Sequence, residues 1–278
     1  MKEKTALTIK ETAHEFQFPE FAIRTLVKRG AFPVIQVGNR VYITREVFAH
    51  YLKEGGQSML LHVDNVKFKV KPTKAEIGAI KCRFAKSASI REMTVKQVAD
   101  CLIAGRTVQP GVTPYTDSTK AKGYKGTSDD DFTQQTLFMS DIDNESADAP
   151  QETPEHVAEL LAAFNLKPVF MYESYHSTAQ QKRFRFAVVC DEAITDRAER
   201  DAIQGALIAL SPQSDYGTAN ADRMYFGTDK GIIEGFTDYE AVCRKADLLT
   251  LAGRYHMPDK DEPPRNCLLY TSPSPRDA

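Results

Sequence analysis

Cysteine is scarce in this 278-residue chain and never clustered. Cys82, Cys101, Cys190, Cys243 and Cys267 contain no Cys-x-x-Cys pair, which argues against a zinc ribbon and a disulfide framework and fits a reducing cytosol. Also missing is any stretch apolar enough to span a bilayer, and the opening MKEKTALTIKE lacks the apolar core of a signal peptide. The expectation is therefore a cytoplasmic protein with no membrane partner. Net charge is nearly absent, at −2, and by itself names no partner. The balance is uneven, however. Up to about residue 128 Lys and Arg outnumber the acids, and from Asp129 onward the acids prevail. A basic front half suits a phosphate-binding surface, although a solvated basic face has the same composition. The hydrophobic content of 42% is ordinary for a globular protein, and the length allows one large domain or two smaller ones.

The end of the chain stands apart. Cys267 to Asp277, CLLYTSPSPRD, resembles the translation of a transposon-derived sequencing adapter. Residues 267–278 are accordingly set aside as a non-native tail. Residues 246–266 are expected to form the start of a linker or a truncated downstream region.

Residues 5–54 read as a compact helix-turn-helix with a wing. Thr8 can cap a helix, with Glu11 completing a capping box and Ile9, Ala13 and Phe16 on its buried face. Phe18-Pro19 breaks that helix, and a second runs from Glu20 to Arg29 with Ile23, Leu26 and Val27 inward. Arg24, Lys28 and Arg29 stay outside, and Gly30 closes the helix. Two short β segments, 34–37 and 41–43, are joined by Gly38-Asn39-Arg40, a turn that tolerates positive φ. A last helix begins near Thr44 and buries Val47, Phe48 and Tyr51. A small basic domain that binds protein has a similar pattern.

From Asn65 to Ala121 the pattern is mixed, with a helix expected over Thr94–Ile103 and a polar loop over Tyr115–Thr127. Gln135–Asp143 then alternates as a strand, with Leu137, Met139, Asp141 and Asp143 on one face. Thr153-Pro154 opens a helix whose apolar positions are Val157, Leu160, Leu161 and Phe164. Val169–His176 and Arg183–Cys190 are two further strands around the polar turn 177–182. Thr195 starts a second helix with Ile203, Ala206, Leu207 and Leu210 inward, and Arg223–Gly227 is a short fourth strand. The predicted fold class is α+β: the winged helix-turn-helix is followed by a β-α-β-β-α-β, RNA-recognition-motif-like core.

That order brings the ends of four strands to one edge. Asp141 and Asp143 end the first strand, and Ser174 and His176 end the second. Lys182, Arg183 and Arg185 open the third, while Asp215, Asp222 and Arg223 precede or open the fourth. Neighbouring carboxylates repel unless a cation sits between them, and oxygen-only ligands suit Mg²⁺ or Mn²⁺. Arg183 and Arg185 share a face and suit a triphosphate. Each signal has a plain counterpart: a solvated strand end, a surface histidine, a half-buried Arg-Phe-Arg strand. Together they read as nucleotidyl transfer assisted by two metals.

Two family resemblances lie on these residues. The run from LTIKETA through IRTLVKRGAFPVIQVGNRVYITREVFAHYL, about fifty residues, resembles excisionase and MerR-type DNA-binding domains. It implies that the second helix, with Arg24, Lys28 and Arg29, enters the major groove, and that Arg40 on the wing touches phosphate. The segments FMSDIDN, YESYHSTAQQKRFRFAVV and SDYGTANADRMYFG, in that order, resemble the catalytic motifs of archaeo-eukaryotic-type primases of phages and plasmids. The expected organisation is residues 1–58 for the first unit and 66–245 for the second. In that family's terms Asp141, Asp143 and a third acid bind the metals. The third falls on Asp215, with Asp222 as the alternative. Ser174, His176, Lys182, Arg183, Arg185 and Arg223 contact the incoming nucleotide. Implied partners are a DNA template, nucleoside triphosphates and a replicative helicase in cis or trans, in a bacterial or phage-infected cell. The competing readings are a non-catalytic replication initiator acting through its front domain, and a metal-dependent nuclease using the same acids.

Overall fold

A computed structural model describes residues 4–28, 31–54, 58–145 and 150–256. Arg29 and Gly30, expected at the end of the second helix, and the tail at 267–278 lie outside the described residues. The architecture mixes helices with small antiparallel sheets, an α+β arrangement. No helix among the described residues is long and apolar enough to cross a membrane.

The N-terminal elements are β1 (Ala6–Thr8), α1 (Ile9–Glu15), α2 (Glu20–Lys28), β2 (Ile35–Val37), β3 (Arg40–Thr44) and α3 (Arg45–Glu54). Thr8 caps α1 as its spacing to Glu11 predicts. Its hydroxyl accepts the Glu11 N–H at 3.3 Å, and the Glu11 carboxylate accepts the Thr8 N–H at 2.9 Å. Val37 pairs with Arg40, so the hairpin turns on Gly38-Asn39, with Gly38 at φ +58°. β1 adds a third strand on the other side of β3, which the sequence pattern did not suggest. Ile23, Phe32, Ile43 and Phe48 form the core of this unit. The Phe48 ring meets Phe16, Phe18 and Phe32 edge-on at 5.0, 5.8 and 5.5 Å.

The larger unit contains β4 (Ser58–Lys67), α4 (Lys74–Phe84), β5 (Ile90–Thr94), α5 (Val95–Ile103), β6 (Arg106–Gln109) and α6 (Asp117–Ala121). It continues with β7 (Gln135–Ile142), α7 (Pro154–Ala162), β8 (Phe170–Glu173), β9 (Phe184–Ile194), α8 (Arg197–Ala209) and α9 (Lys245–Arg254). One sheet has the order β5-β4-β6 and the other β7-β9-β8. Both neighbours of β9 run antiparallel to it, so β7 and β8 point the same way. Alternation on β7 divides the interior. Phe138 and Ile142 face a core built with α7, α8 and α9. Leu137 and Met139 face a second core shared with Met59, Leu61 and Val63 of β4 and with α5. Full burial of one such side chain contributes about 1.5–3 kcal/mol.

Several expectations need correction. β4 starts at Ser58, upstream of the boundary placed at residue 66, because its apolar alternation pairs with β5 and β6 and fills the core under β7. The polar stretch 115–127 holds the short helix α6, capped by the Thr116 hydroxyl. α8 starts at Arg197 with Asp196, not Thr195, as its cap. The fourth strand does not form. Tyr225 instead makes an isolated antiparallel bridge to Val108 of β6, which ties this segment to the other sheet at one residue. Residues 245–254, partly inside the stretch expected as a linker, form α9, because Leu248, Leu251 and Ala252 make a stripe that packs into the core with α8.

Candidate active site

Asp141 lies at the polar end of the β7 face that carries Leu137 and Met139. The strand register sets its neighbours. Asp141 pairs with Arg185 on β9, and Arg185 pairs with Tyr172 on β8, so the three residues form one row across the sheet. The Arg185 guanidinium is buried in that row. Its Nε donates to Asp141 Oδ2 at 2.9 Å, and its Nη1 donates to the Phe226 carbonyl at 2.8 Å and the Tyr172 hydroxyl at 3.3 Å. It also lies 5.6 and 6.0 Å from the Tyr172 and Tyr225 ring centres. The second oxygen of Asp141, Oδ1, is buried and has no hydrogen-bond partner.

Asp143 follows the end of β7, and Asp215 reaches the same place by a different route. Ser214 makes an isolated antiparallel bridge to Ile142. The Asp143 N–H donates to the Gln213 carbonyl at 3.0 Å, and the Asp215 N–H donates to the Asp141 carbonyl at 2.9 Å. A loop therefore docks on the last residues of β7 and delivers a third carboxylate without a strand of its own. Asp215 Oδ1 accepts the Gly217 N–H at 2.8 Å, and its Oδ2 accepts from Arg223 Nη2 at 2.8 Å. Burial, then the charges of Asp141 and Asp215, hold the Asp143 carboxyl above its ordinary pKa. Arg183 sits 3.8 Å from Asp143 and 2.8 Å from Glu145.

These groups line one cleft. Asp141, Asp143, Asp215, Ser174, His176, Arg183, Arg185 and Arg223 all contribute to its wall. β8 stops at Glu173, so Ser174 and His176 lie just beyond the strand on which they were expected. Burial lowers the pKa of His176, with further contributions from Lys71 and Arg183. Two expected residues stay out of the cleft wall. Lys182 turns to Glu173 at 2.8 Å, and Asp222 faces Lys81 at 3.5 Å, leaving Asp215 as the third acid present. Arg185 lines the cleft with its guanidinium paired to Asp141, while Arg183 faces Asp143 and Glu145.

Lys71, Tyr175, Met224 and Phe226 complete the wall and were not anticipated. Lys71 belongs to the alternating basic run Lys67, Lys69, Lys71, a signal that could have pointed to it. Phe226 acts through its backbone carbonyl, for which side-chain identity carries no signal. Among the described residues no three His, Cys, Asp or Glu side chains are arranged as a ready-made metal site. The bare buried Asp141 Oδ1 and the adjacent Asp143 nevertheless fit a hard cation that prefers oxygen, Mg²⁺ or Mn²⁺. In the N-terminal unit, Lys28 on α2 and Arg40 at the start of β3 are exposed, and Arg24 is paired with Glu20 at 2.6 Å.

Comparison of the chain with protein-family models and with curated proteins gives no match. Among solved structures it is similar to the AEP domain of the primase-polymerase (PrimPol) of cyanophage S-2L. The similarity covers 69% of this chain and 88% of that one, at 14% identity and a TM-score of 0.38.

Proposed function

We propose that the chain is a nucleotidyltransferase of the primase-polymerase kind, extending a nucleic-acid strand on a DNA template during replication of a phage or plasmid. The observation that carries this reading is the charge pattern of the cleft. Three carboxylates from two chain segments line the cavity, with Asp141 Oδ1 bare, and Lys71, Arg183, Arg223 and His176 line it with them. Acids alone would suit any cation, and basic residues alone any anion. Both in one cavity suit the metal complex of a nucleoside triphosphate.

In this reading Asp141 and Asp143 hold Mg²⁺ or Mn²⁺, with Asp215 as a third ligand. The metal, when bound, neutralises phosphate charge and favours attack of a 3′-hydroxyl on the α-phosphate with release of pyrophosphate. Arg185 holds the Asp141 carboxylate in position through its 2.9 Å hydrogen bond to Oδ2. Arg183, Arg223 and Lys71 bind the triphosphate oxygens. His176, whose pKa burial and the nearby Lys71 and Arg183 lower, offers the nucleotide a hydrogen bond. Ser174 lies in the same wall. Residues 4–54 serve as a DNA-binding module resembling excisionases, with Lys28 and Arg40 as exposed phosphate contacts.

The test is template-directed synthesis by the purified chain, with dNTPs or NTPs and Mg²⁺ or Mn²⁺, beside the variant Asp141→Asn. The wild type extends a strand and the variant does not, while both unfold cooperatively. Equal synthesis by the two proteins refutes the reading. Release of nucleotides without extension replaces it with the nuclease reading.

A further inference from the structure

The two arginine–carboxylate pairs in the cleft are built differently. Arg185 is buried and shares its donors among Asp141, Tyr172 and the Phe226 carbonyl, so it has nowhere else to go. Arg223 is about one-third exposed, as is its partner Asp215. Its Nη2 donates to Asp215 and its Nη1 to the Gly217 carbonyl at 3.1 Å, while its Nε is buried with no partner. Arg223 therefore holds a carboxylate oxygen that a cation could take, while carrying a donor that its present partners leave unused.

We infer that Arg223 is an exchangeable counter-ion: it leaves Asp215 for the triphosphate of the nucleotide, and the released carboxylate takes up the divalent cation. This rests on the nucleotidyltransferase reading and deepens it. A guanidinium fork satisfies two phosphate oxygens at once, which gives Nε the acceptor it lacks. Asp215 already spends Oδ1 on the Gly217 N–H, so Oδ2 is the oxygen for which Arg223 and the cation compete. Nucleotide binding removes the competitor, and each ligand thereby strengthens the other by the same factor. Arg183 offers a weaker version of the exchange, since it is 3.8 Å from Asp143 and closer to Glu145.

The consequence has opposite signs for the two ligands, which a merely structural role for Arg223 does not produce. The test titrates Mn²⁺ into nucleotide-free protein by electron paramagnetic resonance, and dATP in EDTA by calorimetry. Arg223→Gln is expected to bind Mn²⁺ roughly two- to fivefold more tightly than the wild type, the scale of a part-exposed charge pair, and dATP more weakly. Asp215→Asn is expected to do the reverse, with weaker Mn²⁺ and tighter metal-free dATP, because it frees Arg223. Wild-type binding of both ligands with Arg223→Gln weakening or not changing Mn²⁺ affinity overturns the exchange alone. A wild type that binds neither ligand overturns the nucleotidyltransferase reading and the exchange with it.

Discussion

Replacing Arg185 by Met tests whether the cleft depends on a buried counter-ion. The two side chains of the Arg185–Asp141 pair are 9% and 5% exposed, so solvent screens little of their interaction. Removing the guanidinium leaves Asp141 Oδ2 without its 2.9 Å donor, and Oδ1 has none already. A buried carboxylate then stands beside Asp143 and Asp215 with no cation to offset it. Breaking one side of such a pair costs about 3–5 kcal/mol. Tyr172 does not supply the missing donor, because its hydroxyl already donates to the Phe226 carbonyl at 3.1 Å. Adding Asp141→Asn removes the stranded charge, so the double variant should recover about 1–3 kcal/mol of the loss. The assay is urea unfolding followed by far-ultraviolet circular dichroism, because the chain has no tryptophan to report by fluorescence. A loss below about 1 kcal/mol in Arg185→Met, or a double variant equal to the sum of the singles within about 0.5 kcal/mol, refutes the argument.

Three further predictions concern other groups. The Asp143 carboxyl has a raised pKa in the fold, so the native state binds its proton more tightly than the unfolded chain does. Stability therefore falls as pH rises from the ordinary carboxylate value through the raised one. Asp143→Asn should melt at a higher temperature than the wild type at pH 7, with a smaller advantage at pH 4 and no synthesis; a lower melting temperature at pH 7 contradicts this. His62 is buried between Ser89 Oγ at 2.9 Å and the Thr113 N–H at 3.1 Å, and burial pushes its pKa down to about 4 from 6.5. The unfolded chain takes up the proton first, so about 3 kcal/mol is lost as pH falls from 6.5 to 4. His62→Gln should flatten that part of the stability curve, and an unchanged slope rejects the assignment. In the N-terminal unit, Lys28→Gln and Arg40→Gln should each weaken duplex binding evenly across sequences and reduce the salt slope by about one. Unchanged slopes count against phosphate contact there.

Much of the local structure was legible because its causes lie within a few residues. Thr8 with Glu11 specifies the start of α1, as Thr153-Pro154 specifies the start of α7. The alternation of Leu137, Met139 and Asp141 placed the acid on a strand face. Two errors are local, the cap of α8 and the short helix α6; the larger ones fall where partners are distant. The pattern at 223–227 suits a strand, but strand character does not say which sheet receives it, and Tyr225 pairs with Val108. α9 was missed because its apolar stripe has meaning only against α8.

By itself the sequence determined the caps at Thr8 and Thr153, the turn at Gly38, the alternation of β7 and the set of acids and bases available for one edge. Tertiary structure alone decided which of those groups meet and which partner each one has. The β7–β9 register set Arg185 against Asp141, so its Nε is paired with a carboxylate that the sequence alone did not join to it. The docking of 213–215 on β7 placed Asp215 in the cleft wall, whereas Asp222 faces Lys81 and Lys182 pairs with Glu173 outside it. The reason is physical: capping and alternation are short-range preferences of the chain, whereas a charge takes its role from whichever partner folding brings within about 3 Å.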